Sequence, residues 1–169
     1  RDAGAPGGAA AEGTFMGYRR ADGRVGIRNQ LWIIPTVGCV DGVAEKLAAW
    51  GTAELGIEVL PLTHPYGCSQ LGDDLSLTRR ILASLARHPN AGGVLLLSLG
   101  CENNRLEDLL AAIGDRPEGT LGSMRLQDAG EEVEDGRAEL KLLAERAKGA
   151  KRVEVPTSEL VVGLKCGGS

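Results

Sequence analysis

The sequence predicts an α/β protein in which a mostly parallel sheet carries helices on both faces. Three observations lead there. Short, nearly continuous apolar runs recur at 31–37, 57–63, 93–99, 121–126 and 160–165, each bounded by turn-forming or polar residues. Runs of that length read as strands buried on both faces. Between most of them lie stretches with apolar residues at helical spacing, and strands that alternate with helices favour a parallel sheet. Aromatics make up only 3% of the residues and hydrophobics 43%, so the core is built from Leu, Val, Ile and Ala. The architecture expected is three-layered and Rossmann-like.

Residues 1–13 are rich in Gly and Ala without apolar periodicity and read as a flexible leader or linker. Residues 14–169 then form a single α/β domain. The stretch 14–30 mixes Gly, Arg and Asp around the turn signal Asp22-Gly23, and extended segments or a hairpin both fit it. In the first buried strand, 31–37, Pro35 removes a backbone donor and forces an end or a bulge. Asp41 is placed to cap the next helix, which runs through Val43, Leu47, Ala48 and Trp50. The second strand, 57–63, leads into His64 and Cys68. A helix carrying Leu75, Leu77, Ile81, Leu82 and Leu85 follows and closes at His88-Pro89-Asn90. The third strand, 93–99, breaks at Gly100 and delivers Cys101, Glu102, Asn103 and Asn104 to a turn. Leu106, Leu109, Leu110 and Ile113 beyond it have helical spacing. A weaker strand at 121–126 ends at Gln127. A helix over about 132–148, a short strand around Val153 and Val155, and a last strand at 160–165 complete the pattern. A buried strand running into a glycine turn predicts a fragment of a longer multidomain chain.

The formal net charge is −4, which leaves no broad basic field for a polyanion and argues against nucleic-acid binding. No apolar run approaches the ~20 residues of a membrane span, and no charged-then-apolar start resembles a secretory signal. A soluble cytoplasmic protein is expected. No GxxxxGK[ST] loop and no strand-preceded GxGxxG occurs, against a nucleotide role.

Cys39, Cys68, Cys101 and Cys166 each follow a predicted strand and each adjoins a glycine. In a parallel sheet all four thiols reach one rim, the edge where open α/β sheets bind ligands. The plainer alternative is that they only pack, as free cysteines often do. His64 is either a structural histidine or a ligand or base. Glu102 is a ligand, a base, or a charge favoured at a helix start. Lys165 is a base, a carboxylate partner or a solvated lysine. Asn103 and Asn104 either bind or cap. Arg24 and Arg28, with Asn29, either clamp a carboxylate by paired hydrogen bonds or form a solvated loop.

Six stretches carry a resemblance in order along the chain: Gly17-Tyr18 with the DGRVGIRN run at 22–29, PTVGC at 35–39, His64 with Gly67-Cys68, LGCENN at 99–104, QDAG at 127–130 and LKCGGS at 164–169. Together the chain resembles the central domain of the altronate/galactarate dehydratase family. The resemblance implies an iron-dependent lyase that removes water from a small acidic sugar to give a 2-keto-3-deoxy acid, with iron as Fe2+ or an iron–sulfur cluster. A related branch removes sulfite from sulfolactate, and a non-catalytic binding or assembly module is the further alternative. The family implies a C-terminal domain of the same chain as partner, and a small β-rich domain or subunit. On this reading Cys68, Cys101 and Cys166, with Cys39, are the metal ligands. His64, Lys165 and Glu102 are the catalytic candidates, and Arg24, Arg28, Asn29, Asn103 and Gln127 bind substrate. Pro65, Tyr66 and Ser69 are where substrate choice would be encoded.

Overall fold

The computed structural model describes residues 13–165 and 167. Among the described residues, three strands are followed by alternating helices and strands: β1 (Thr14–Arg19), β2 (Val25–Gly26), β3 (Gln30–Pro35), α1 (Asp41–Glu54), β4 (Val59–Pro61), α2 (Gly72–Ala86), β5 (Ala91–Ser98), α3 (Leu106–Ile113), β6 (Leu121–Arg125), α4 (Glu132–Lys148) and β7 (Val153–Pro156). The central sheet is parallel throughout, in the order β4-β3-β5-β6. All eight residues of β5 are buried, which is why its sequence is an unbroken apolar run rather than an alternating one.

Alternate residues of the central strands divide between two apolar clusters. Leu31, Ile33, Leu95 and Leu97 pack with Leu47 and Ala48 of α1 and Leu140 and Leu143 of α4. Trp32, Ile34, Val94 and Leu96 pack with Leu82 and Ala86 of α2 and Leu109 and Ile113 of α3. The period-two side-chain alternation of a strand sends successive residues to opposite helices.

The structure departs from the sequence reading in three places. The second strand is only Val59–Pro61: its ladder closes with the Leu62 N–H on the Ile33 carbonyl, and the next donor on β3 would be Pro35, which has no N–H. A second, antiparallel sheet of order β2-β1-β7 takes up residues 14–19 and 25–26 together with Val153 and Val155. Residues 160–165 form no strand. The chain leaves β7 through a 3-10 turn at Thr157–Glu159, tied to the small sheet by the Thr157 N–H on the Gly13 carbonyl and by Glu159 on Arg19. The run therefore departs from the small sheet, without a neighbouring ladder. Val161 and Leu164 are 93% and 94% exposed. Apolar residues supply strand propensity, but a strand also needs an edge to pair with.

Among the described residues no helix is long and apolar enough to cross a membrane. Residues 1–12, and with them most of the expected leader, lie outside the described residues, as does Cys166.

Candidate active site at the thiol-bearing rim

Strands β3 and β5 lie side by side, while β4 adds to one flank and β6 to the other. The strand order therefore reverses between β3 and β5. At such a point the loops leaving the two carboxyl ends diverge and open a crevice. Cys39 follows β3 in the short 3-10 turn Gly38–Val40, Cys68 follows β4, and Cys101 follows β5. All three are free, exposed thiols on this rim.

The loops are tied together by buried polar groups. Glu102, only 5% exposed, sits across the β3–β5 junction. Its Oε1 accepts from Thr36 Oγ1 and Ser98 Oγ, both at 2.5 Å, and its Oε2 accepts from the Gly100 N–H at 2.7 Å. Burial acts to raise its pKa, but the hydroxyl and backbone donors outweigh burial and hold the carboxyl below the usual glutamate range. A carboxylate so held is a weak base with both oxygens occupied. Its role here is to join two strand ends.

Asn104 is fully buried and makes a second tie. Its Nδ2 donates to the Thr36 carbonyl at 3.1 Å, its Oδ1 accepts from Arg79 Nε at 3.3 Å, and its backbone N–H reaches the Gly67 carbonyl at 3.1 Å. Asn103 Oδ1 accepts the Ser69 N–H at 2.8 Å. Neither amide caps α3, whose first turn has no side-chain cap. They dock the Cys68 loop onto the Cys101 loop instead. That docking requires glycine at 67. Its φ is +101°, and a Cβ would stand 2.2 Å from the Thr36 carbonyl oxygen. Gly100 has φ +124°, and its missing Cβ leaves room for Gln127, whose Oε1 would lie 2.5 Å away. Gln127 thereby joins the rim from the end of β6. Ser69, at φ +56°, is the only non-glycine in the left-handed region among the described residues, and it lies beside Cys68.

His64 uses both ring nitrogens. Nε2 donates to the Pro35 carbonyl at 2.9 Å, and Nδ1 accepts the Tyr66 N–H at 3.2 Å. The tautomer is thus Nε2–H. Asp41, the first residue of α1, makes no side-chain cap, and one of its carboxylate oxygens is buried without a hydrogen-bond partner among the described residues. Burial pushes its pKa up, opposed by the nearby His64.

A cleft of about 520 Å³ opens beside Cys101, walled by Ser98, Asn103, Arg105 and Arg125. Arg125 is neutralised by Glu107 and Asp128. The exposed Arg105 guanidinium has no ion pair or hydrogen bond among the described residues.

This chain matches the family model described as D-galactarate dehydratase/Altronate hydrolase, second domain, over residues 17–148. The chain belongs to that family. It is 52% identical over 161 residues to an altronate dehydratase of Bacillus subtilis, covering 92% of this chain and 32% of that protein. It is 44% identical over 165 residues to an altronate dehydratase of Escherichia coli, covering 95% and 33%. A (2R)-sulfolactate sulfo-lyase subunit beta of Chromohalobacter salexigens is 32% identical over 161 residues, covering 92% and 39%. The chain thus spans roughly a third of the length of the curated relatives it matches.

Set against the family reading, the geometry gathers Cys39, His64, Cys68, Cys101, Glu102, Asn103 and Gln127 on one rim. It does not bring Arg24, Arg28 and Asn29 there. Arg24 Nη2 donates to the Arg87 carbonyl, the Ile27 and Arg28 N–H groups donate to Asn90 Oδ1, and Asn29 Nδ2 donates to the Ala147 carbonyl. These partners lie at the amino end of β5 and the carboxyl end of α4. The length of β5, about 3.3 Å per residue, separates them from the thiols. Asp22 also occupies Arg24 by a 2.6 Å ion pair. Lys165 is exposed in the unpaired 160–165 stretch, so no strand carries it to the rim. Among the described residues no group of three or more His, Cys, Asp or Glu is placed to hold a metal ion. The three described thiols share an edge but do not close on one point.

Sequence reasoning passes over Arg105 and sees in Asp41 only a cap. Arg105 follows the LGCENN stretch directly, which is its one visible signal. Thr36 and Ser98 give none, because a hydroxyl ending an apolar run looks like a strand boundary until its partner is known.

Proposed function

We propose that this chain is a domain of a sugar-acid dehydratase of the altronate or galactarate type, which eliminates water to give a 2-keto-3-deoxy acid. The observation that carries the reading is the pairing of an exposed thiol, Cys101, with the unpartnered Arg105 in one cleft, in a chain 52% identical to a named altronate dehydratase. The three-layer, Rossmann-like reading of the scaffold is part of the proposal, supported by the two apolar clusters.

Elimination across C2 and C3 takes a proton from the carbon next to a carboxylate and expels hydroxide from the next carbon. Arg105 takes the role that the sequence suggests for Arg24 and Arg28. It pairs with the substrate carboxylate and stabilises the negative charge that builds on it as the proton leaves. Asn103 and Gln127 supply amide groups for the sugar hydroxyls. His64 takes the proton-transfer role through Nδ1, which can accept a proton only when the Tyr66 N–H moves off it, and the Asp41 carboxylate lies nearby. Glu102 holds the rim in shape. Cys39, Cys68 and Cys101 are soft donors of the kind that suits iron, although the three do not close on one point. Iron, when bound, would supply the Lewis acid for the departing hydroxide. Its remaining ligands would come from outside the described residues, Cys166 among them.

The test is a panel of aldonic and aldaric acids on the longest natural protein containing this chain, with chemical detection of the 2-keto-3-deoxy product and iron measured on the same sample. Turnover of altronate or galactarate is the expected result. Sulfite release from sulfolactate without turnover of any sugar acid would favour the sulfo-lyase reading, which the 32% identical relative supports. Inertness toward the whole panel would overturn both.

A further inference from the structure

At the rim opposite the thiols, four separate segments enclose a hollow of about 410 Å³: the β1–β2 turn, the connection from α2 to β5, the connection from α3 to β6, and the end of α4. Its walls are rich in arginine although the chain as a whole carries a net charge of −4. Most of these arginines are committed. Arg19 pairs with Glu159 and Arg24 with Asp22. Arg20 donates to the Pro89 and Arg28 carbonyls and to Asn29. Arg87 reaches the carbonyls of Ala112 and Ile113 at the carboxyl end of α3.

Two are not committed. Arg116 is half-buried, and its guanidinium makes one hydrogen bond, from Nε to Thr120 Oγ1 at 3.3 Å. Neither it nor the exposed Arg146 has an ion pair among the described residues. Burial, then the charges of Arg20 and Arg24, push the Arg116 pKa below its usual value, with Asp22 opposing. Like charges held together in a partly closed space lower their energy by taking up an anion.

We propose that this hollow is a binding site for a small oxyanion, a phosphate ester or a carboxylate, held by Arg116 and Arg146 and separate from the thiol rim. The size fits: small-molecule sites run from about 300 Å³ upward. The ligand spans from the α3–β6 connection to the end of α4, with Arg116 offering its two terminal nitrogens as a fork. A ligand here sits against Pro89 and Ala91 at the entry to β5, the strand whose far end leads to Cys101. The site does not depend on the dehydratase reading.

The protein is titrated at low ionic strength with inorganic phosphate and, separately, with succinate, followed by calorimetry and by the NMR signals of the arginine Nε–H groups. Saturable binding of at least one anion is expected, with Arg116→Gln weakening it about tenfold or more, the loss of one charge-assisted hydrogen bond. Arg80→Gln, which removes the same charge from an exposed position on α2 outside the hollow, leaves binding unchanged. Binding of phosphate alone assigns a phosphorylated ligand, and binding of succinate alone a carboxylate. If circular dichroism shows that Arg116→Gln does not fold, the exposed Arg146→Gln is read in the same way. Absence of saturation with both anions overturns the proposal, as does equal weakening by the hollow and control variants. Cys101→Ser leaves anion binding intact, which keeps this test distinct from any test of the rim.

Discussion

Replacing Glu102 by Gln probes the junction that shapes the rim. In the native protein the carboxylate accepts three hydrogen bonds, from Thr36 Oγ1, Ser98 Oγ and the Gly100 N–H. Bonds to a charged acceptor contribute about 1.5–3 kcal/mol each, and neutral ones about 0.5–1.5. Glutamine keeps the shape but turns one acceptor into a donor. An amide nitrogen facing Gly100 would meet a backbone N–H that cannot rotate. The stable arrangement therefore turns the nitrogen toward the hydroxyls, where Thr36 can redirect its proton to the Leu97 carbonyl, 3.3 Å away. Both hydroxyls bond the same oxygen, so two bonds are inverted and the Gly100 bond loses its charge assistance, and the expected loss is about 2–3 kcal/mol at neutral pH. The pH dependence carries its own sign. Because the folded-state pKa is lowered, the stabilisation is complete above the usual glutamate range. It is lost as pH falls through the depressed folded value. Urea unfolding of both proteins at neutral and acidic pH should therefore show a gap that narrows on acidification. A variant within about 0.5 kcal/mol of the parent at neutral pH, with an unchanged acid limb, would refute the account of Glu102 as the rim's tie.

Three further outcomes follow from the same geometry. Gly67→Ala places a methyl against the Thr36 carbonyl at a φ that disfavours any side chain. It should cost about 2 kcal/mol or more and increase the rate at which Cys68 reacts with a thiol reagent, read by thermal unfolding and labelling kinetics. Arg105→Gln should leave stability within about 0.5 kcal/mol, because the side chain is exposed and unpaired, yet lower kcat/KM for a sugar acid about a hundredfold in the complete enzyme. Cys39, Cys68 and Cys101 should each label in the folded protein before any unfolding, since all three are exposed; peptide mapping by mass spectrometry reads this directly.

Much of the fold was legible because its signals are local. Unbroken apolar runs such as 93–99 encode burial on both faces, and the spacing of Leu106, Leu109 and Ile113 encodes one buried helix face. The resemblance was legible because six short stretches keep their order, and the match over residues 17–148 bears it out. The site was legible only in part. A parallel sheet sends every strand's carboxyl end to one edge, so Cys39, Cys68 and Cys101 could be placed there from strand direction alone. The same reasoning failed for Lys165, because 160–165 has the composition of a strand and no ladder to join. Arg24, Arg28 and Asn29 are suggested for a carboxylate by residue type alone, which carries no position, and their segment packs at the far rim.

By itself, then, the chain's order of residues determined the helices and the strands of the central sheet, which way those strands run, and which family the protein joins. Those follow from periodicity, turn chemistry and short motifs, all of which act over a few residues. Tertiary structure alone decided that Glu102 is a tie between β3 and β5, that Asn103 and Asn104 dock one thiol loop on another, that Arg105 is the rim's unpaired cation, and that arginines from four segments share a hollow at the opposite end. Each of these depends on where distant segments come to lie, and a buried polar group's role is set by the partner it finds.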